Sequence, residues 1–83
     1  MNDKRIPPTS PLIYFGRRLA ELRKEQGVSQ EQLALISGLA RSYVSGVERG
    51  QRNISLLNIL RLAQALNLPP VALLEPPEGV HSR

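Results

Sequence analysis

The chain has no cysteine, one histidine and three aromatic residues among its 83 positions. Without cysteine, disulfide frameworks and thiolate metal sites are excluded, and the usage fits a reducing compartment, the cytoplasm. The lone histidine, His81, stands beside Ser82 in a terminal stretch, with no carboxylate arranged around it. Seven acids are scattered without metal-ligand spacing, and no Gly-rich phosphate loop is present. No catalytic residue, metal, cofactor or small-molecule ligand is therefore expected, and the chain does not read as an enzyme. Two tyrosines and one phenylalanine are too few for a stacking platform on single-stranded nucleic acid. No apolar run approaches the roughly 18 residues of a membrane span. The opening "MNDKRIPPTSP" lacks the apolar stretch of a secretory signal.

What is present is positive charge on a small chain. A formal net charge of +4 favours an anionic partner, nucleic acid first, without bearing on the fold. A chain this short forms one domain with a modest core, for which oligomerisation is a common support.

Residues 1–9 read as a flexible, proline-bearing arm. Ser10 is a helix cap with Pro11 at the first helical position, where a missing N–H costs nothing. Leu12, Phe15, Leu19 and Leu22 mark an inner face at spacings of three and four, and Gly27 ends the helix. In "SQEQLALIS", Ser29 and Gln32 form a capping-box pattern that starts a second helix at Gln30, with Leu33 and Ala34 inward. A third helix follows from about Ala40 to Arg49 after a short glycine-bearing turn, which is the helix-turn-helix arrangement. Ser55 caps a fourth helix, expected to bury Leu56, Ile59, Leu62, Ala63 and Leu66 and to end near Asn67. Pro69 and Pro70 open a short fifth helix with Val71, Leu73 and Leu74. The expected organisation is an all-α domain over residues 10–75, followed by a flexible tail at 76–83.

At this point the residues carry a resemblance. "SQEQLALISGLARSYVSGVERGQRNISLLNILRLAQALNL" resembles the phage repressor/Cro-type (XRE family) helix-turn-helix DNA-binding domain, and the likeness covers roughly residues 12–75. It rests on Gln30, Leu33-Ala34, Gly38 in the turn, Val44 and Val47, Glu48, Gly50 and the run Ala63-x-Ala65-Leu66. "RSYVSGVERGQRN" in particular is similar to the controller proteins of restriction–modification systems. The resemblance implies a compact five-helix, lambda-repressor-like fold, with the third helix in the major groove and the second crossing the DNA backbone. It implies a transcriptional repressor or controller acting as a homodimer on a partly palindromic double-stranded operator. It also implies an ion pair between Arg23 and Glu48 that links the first and third helices, so Glu48 is structural. One departure stands out: Ala40 occupies the position where the family usually caps the recognition helix with Ser, Thr or Asp.

The third helix divides its residues by face. Val44 and Val47 share one side; Ser42, Ser45, Gly46 and Arg49 share the other, with Arg41 and Tyr43 on the flanks. Arg41 lies near the N-terminus, the end that reaches base edges, and its fork can bond guanine O6 and N7 together. Ser42 and Ser45 are further base-reading candidates; the alternative for all three is an ordinary solvated face. Gly46 opposes helix formation, which suggests either close approach of the backbone to DNA or helix–helix packing. Its place on the outward face favours DNA. Tyr43 could touch DNA or cover the core. Gln30 lies at a helix N-terminus, which favours phosphate, and Arg49, Arg52 and Asn53 are further backbone-contact candidates.

Leu57 and Leu60 are surplus to the inner face of the fourth helix, and Val71 and Leu74 can join them. A helix apolar nearly all round is buried on more than one side, so these four are the candidate dimer interface, against the alternative of scattered surface leucine. Leu35 and Ile36 are also surplus and have no assignment. A rival function is an antitoxin-like protein-interaction module in which DNA binding is secondary.

Overall fold

The computed structural model describes residues 10–78, and they form five helices in chain order. These are α1 (Pro11–Glu25), α2 (Gln30–Ser37), α3 (Arg41–Glu48), α4 (Leu56–Ala65) and α5 (Pro70–Leu74). The expected arm at 1–9, and tail residues 79–83 with His81, lie outside the described residues.

The helix starts follow local chemistry. Ser10 Oγ accepts from the Leu12 N–H at 3.2 Å, with Pro11 at the first position of α1. In α2 the capping box is closed in both directions: Ser29 Oγ accepts from the Gln32 N–H at 3.0 Å, and Gln32 Oε1 accepts from the Ser29 N–H at 2.8 Å. Ser55 Oγ caps α4 in one direction, accepting from the Asn58 N–H at 3.1 Å. Ala40 has extended backbone and offers α3 no side-chain cap. Asn67 ends α4 in the left-handed region, at φ 56°, and a Leu68 N–H to Ala63 carbonyl bond of 2.9 Å closes the turn.

Leu19, Leu33, Val44, Val47, Leu62, Leu66 and Leu73 are buried almost completely, and Phe15 and Leu22 flank them. This single core sets α1 against α3 and packs α2 and α5 on α4. Side-chain bonds to helix ends lock the arrangement. Gln26 Nε2 donates to the Leu66 carbonyl at the end of α4 at 2.7 Å, and Arg18 Nε donates to the Ala72 carbonyl in α5 at 2.8 Å.

Two expectations about burial are corrected. Leu56 is 72% exposed and does not belong to the inner face of α4. It is the first helical residue, and helical side chains lean toward the N-terminus, which carries this one past the rim of the core. Leu12 is only half-buried for a similar reason. The domain also extends beyond residue 75: Pro77 is fully buried, and the Glu78 N–H donates to Glu21 Oε2 at 2.6 Å. Arg18 reaches Glu75 Oε1 at 3.1 Å, so residues 75–78 are tied to α1 and are no part of a free tail.

Candidate nucleic-acid interface

One side of α3 is committed to the fold. Val44 and Val47 enter the core, and Gly16 of α1 lies against the last turn of α3. A Cβ at Gly16 would stand 2.6 Å from the Glu48 carbonyl oxygen and closer still to that of Val47. The two helix backbones are therefore in direct contact there. Gly16 shares the inner face with Leu19 and Arg23 at helical spacing, which is the sequence signal for this contact.

Arg23 and Glu48 secure the same contact. Arg23 Nε donates to Glu48 Oε2 at 2.6 Å and its Nη2 to Oε1 at 2.9 Å, while Nη1 donates to the Val28 carbonyl at 2.9 Å. All three guanidinium nitrogens are thus engaged in a residue only 8% exposed. The bond to Glu48 raises the Arg23 pKa above its ordinary value; burial opposes this and the Glu48 charge adds to it. Gln30 Nε2 donates to Glu48 Oε1 at 2.9 Å, so part of the Gln30 amide is engaged with this ion pair. Its position at the start of α2 remains as expected; its hydrogen-bonding capacity is partly spent inside the protein.

The other side of α3 is polar and basic. Arg41, Ser42, Ser45 and Arg49 line one shallow surface depression of about 290 Å³. Arg49 Nη1 donates to Ser45 Oγ at 3.2 Å, bracing the two across one helical turn. Arg41, Ser42 and Arg49 are exposed, and Ser45 is half-exposed. Among the described residues, no carboxylate forms an ion pair with Arg41, Arg49 or Arg52. The charge on this face is therefore positive and unpaired among the described residues, and the face offers hydroxyl and guanidinium donors.

Gly46 requires a correction. It points outward from the core but is buried, because Arg52 lies across it. Its surface is occupied by a side chain of this chain, where an opening to DNA was expected. Periodicity gave the direction of Gly46 correctly; the covering residue comes from the loop that follows. Tyr43 is half-buried beside it, packed on the core edge, and its hydroxyl accepts from Asn58 Nδ2 at 3.1 Å. The Arg52 guanidinium carbon stands 5.8 Å from the Tyr43 ring centroid. Asn53 is exposed in the same loop. Nothing local marks Asn58, an asparagine in the first turn of α4, as the partner of a residue in the preceding helix.

A separate surface is apolar. Leu57, Leu60, Val71 and Leu74 are 58%, 42%, 60% and 61% exposed, and Leu56 adjoins them on α4. Leu60 also borders a cleft of about 400 Å³ with Leu68, Pro69 and Pro70 between α4 and α5. Leu35 and Ile36 form a smaller exposed apolar pair on α2, with Ile36 close to Arg61.

Comparisons with known proteins agree on this architecture. The family described as "Helix-turn-helix" matches residues 19–73. The crystal structure of the restriction-modification controller protein C.AhdI from Aeromonas hydrophila is 62% identical and superposes with a TM-score of 0.77, covering 78% of this chain and 98% of that one. Control protein C.BamHI from Bacillus amyloliquefaciens is 41% identical over 64 residues, 76% of this chain and 79% of its own length. The controller protein C.Esp1396I, crystallised as a tetramer with its natural 35-base-pair operator, is 30% identical, with a TM-score of 0.73 over 80% of this chain and 87% of that one. The chain belongs to the helix-turn-helix family of the phage repressor/Cro (XRE) type, with restriction-modification controller proteins among its relatives.

Proposed function

We propose that this protein is a sequence-specific, double-stranded-DNA-binding transcriptional regulator, a repressor or controller that acts as a homodimer without a cofactor. The observation that carries the reading is the outward face of α3. Four donor side chains, Arg41, Ser42, Ser45 and Arg49, converge on one depression, and no carboxylate among the described residues neutralises its arginines. A helix about 10–12 Å across fits the major groove. Docked there, Arg41 at its N-terminus reads a base, and a bidentate bond to guanine discriminates by about 1–3 kcal/mol. Ser42 and Ser45 read less selectively because a hydroxyl both donates and accepts. Arg49, Arg52 and Asn53 meet the backbone and set register. The operator complex of the related controller protein supports the choice of ligand.

One recognition helix reads only a few base pairs, too little for selective binding in a genome. Two subunits about a two-fold axis double the information and set their α3 helices roughly 34–36 Å apart on a partly palindromic site. The exposed Leu57, Leu60, Val71 and Leu74 are the surface for that axis, and an isologous contact lets each meet its own region on the second subunit. A regulator works where its DNA is, which we place in the cytoplasm. No helix among the described residues is long and apolar enough to cross a membrane.

The antitoxin-like reading draws on Leu35 and Ile36, at 83% and 61% exposure, as a place for a different protein. Duplex binding separates the two. Sequences selected from a random pool should share a partly palindromic motif, and affinity for them should fall steeply with salt as phosphate counterions are released. No enriched sequence and a flat salt response would support the protein-interaction module instead.

A further inference from the structure

Arg52 does not project freely into solvent. Its stem crosses α3 where residue 46 has no side chain: a Cβ on Gly46 would stand 2.8 Å from Arg52 Cγ, 3.5 Å from Nε and 3.7 Å from Cδ. Its guanidinium lies over the Tyr43 ring, at 5.8 Å from the centroid. Tyr43 is fixed in turn by the 3.1 Å bond from Asn58 Nδ2, and the Asn58 backbone is anchored by the Ser55 cap. The chain reaches this place through a tight turn after α3. Gly50 has φ 74°, its N–H donates to the Val47 carbonyl at 3.0 Å, and the Gln51 N–H donates to the Gly46 carbonyl at 2.9 Å.

We propose that Gly46, Tyr43 and Asn58 are positioning residues that pre-organise Arg52 along the outward face of α3 for a DNA phosphate. The proposal rests on the DNA-binding reading above and names the device that sets one of its backbone contacts. Glycine is a poor helix former, so the fold gains nothing from it in the interior of α3. The atoms a Cβ would meet belong to one flexible side chain of the loop, whereas at Gly16 they belong to a helix backbone. An alanine at 46 could therefore be accommodated by swinging Arg52 aside, with the core untouched. What the glycine preserves is the placement of that arginine. A long side chain held before encounter loses less rotamer freedom on binding, which is how pre-organisation raises affinity. The aromatic face adds a modest attraction for the cation without neutralising its charge.

The test uses Gly46→Ala, Asn58→Ala, Arg52→Ala and the double variant Gly46→Ala/Arg52→Ala in the full chain. Gly46→Ala is expected to melt at or above wild type. In the free protein, the Arg52 δ-protons should lose the upfield ring-current shift that the Tyr43 face imposes. Affinity for operator and scrambled duplex alike should drop about tenfold, the size of one charge-assisted hydrogen bond, and the salt slope should decrease by about one unit. In the Arg52→Ala background, Gly46→Ala should have no further effect on binding. Asn58→Ala should act in the same direction, by about two- to fivefold, through a less firmly held ring. The proposal is overturned if Gly46→Ala leaves the ring-current shift and salt slope unchanged. It is equally overturned if the loss is as large without Arg52, or if the variant binds DNA more tightly, which would make Arg52 a cover. Should Gly46→Ala fail to fold, the glycine is structural and the proposal fails for it. Asn58→Ala then judges the remainder by the same shift and slope. Absence of any salt-dependent duplex binding by wild type would remove the DNA reading itself, whereas the ring-current shift reports on the cradle in either case.

Discussion

The two long sides of α3 use the same residue types for opposite ends. Toward α1, a glycine (Gly16) lets two backbones touch, and an arginine (Arg23) spends every guanidinium nitrogen on the protein. Away from α1, a glycine (Gly46) makes room for a side chain, and the arginines Arg41, Arg49 and Arg52 have no carboxylate partner among the described residues. On the inner side each Arg23 guanidinium nitrogen already has a protein acceptor; the outer side holds guanidinium donors without a carboxylate partner among the described residues. Residue type alone thus says little about role. What separates structural from functional charge here is whether the hydrogen-bonding capacity is already used.

That contrast can be broken from the inner side first. Glu48→Ala leaves the buried Arg23 guanidinium without its carboxylate and frees Gln30, so it should cost about 3–5 kcal/mol of stability. In a domain this small, that should appear as loss of most cooperative unfolding in a chemical denaturation curve. A similar loss from Arg49→Ala would erase the distinction between the two sides.

A comparably large effect, on assembly, tests whether the outer side acts alone. Replacing Leu57 and Leu60 together with lysine should give a folded monomer, by sedimentation, that still presents Arg41, Ser42 and Ser45. Its affinity for a full operator should fall by about a hundredfold or more as the second binding event ceases to be intramolecular. Binding to an isolated half-site should hardly change. A double variant that remains dimeric would place the interface elsewhere.

Gly16→Ala is expected to cost about 1–3 kcal/mol, because the new methyl meets the Val47 and Glu48 carbonyls and the helices must separate. Paired with Gly46→Ala in one melting experiment, only Gly16→Ala should lose stability; parallel losses would mean that both glycines serve packing. The smallest effect belongs to Ala40→Ser. A hydroxyl at this extended, uncapped position should satisfy a free N–H at the start of α3 and add about 1 kcal/mol. An unchanged midpoint would show that water already fills that role at no cost.

Much of the fold was legible because its boundaries are set by local chemistry. Ser10 with Pro11, the Ser29–Gln32 box, Ser55 and Asn67 each mark an end through contacts within a few residues, and the core leucines follow helical spacing. What escaped the sequence reading depends on distant chain segments. Leu56 has an inward angle on its helix, yet it sits at the first position and stays largely exposed. Pro77 carries no periodicity, yet it is fully buried beside the Glu78 N–H bond to Glu21 of α1. Gly46 points outward as its register requires, but a turn at Gly50 returns Arg52 over it. Asn58 and Tyr43 meet across 15 residues of chain, through a side-chain bond between α4 and α3. The outward register of Ser42, Ser45 and Arg49 was readable; which hydrogen-bonding groups were already occupied was not.

The central claim is that Arg41 reads a base while Arg52 holds a phosphate. It is tested most directly by titrating wild type, Arg41→Ala and Arg52→Ala against the selected operator and a scrambled duplex over a range of salt. Arg41→Ala should lose about 1–3 kcal/mol of preference at one base pair per half-site, with little change on the scrambled duplex. Arg52→Ala should weaken both duplexes alike and flatten the salt slope. Equal losses for the two variants on both duplexes would contradict the account.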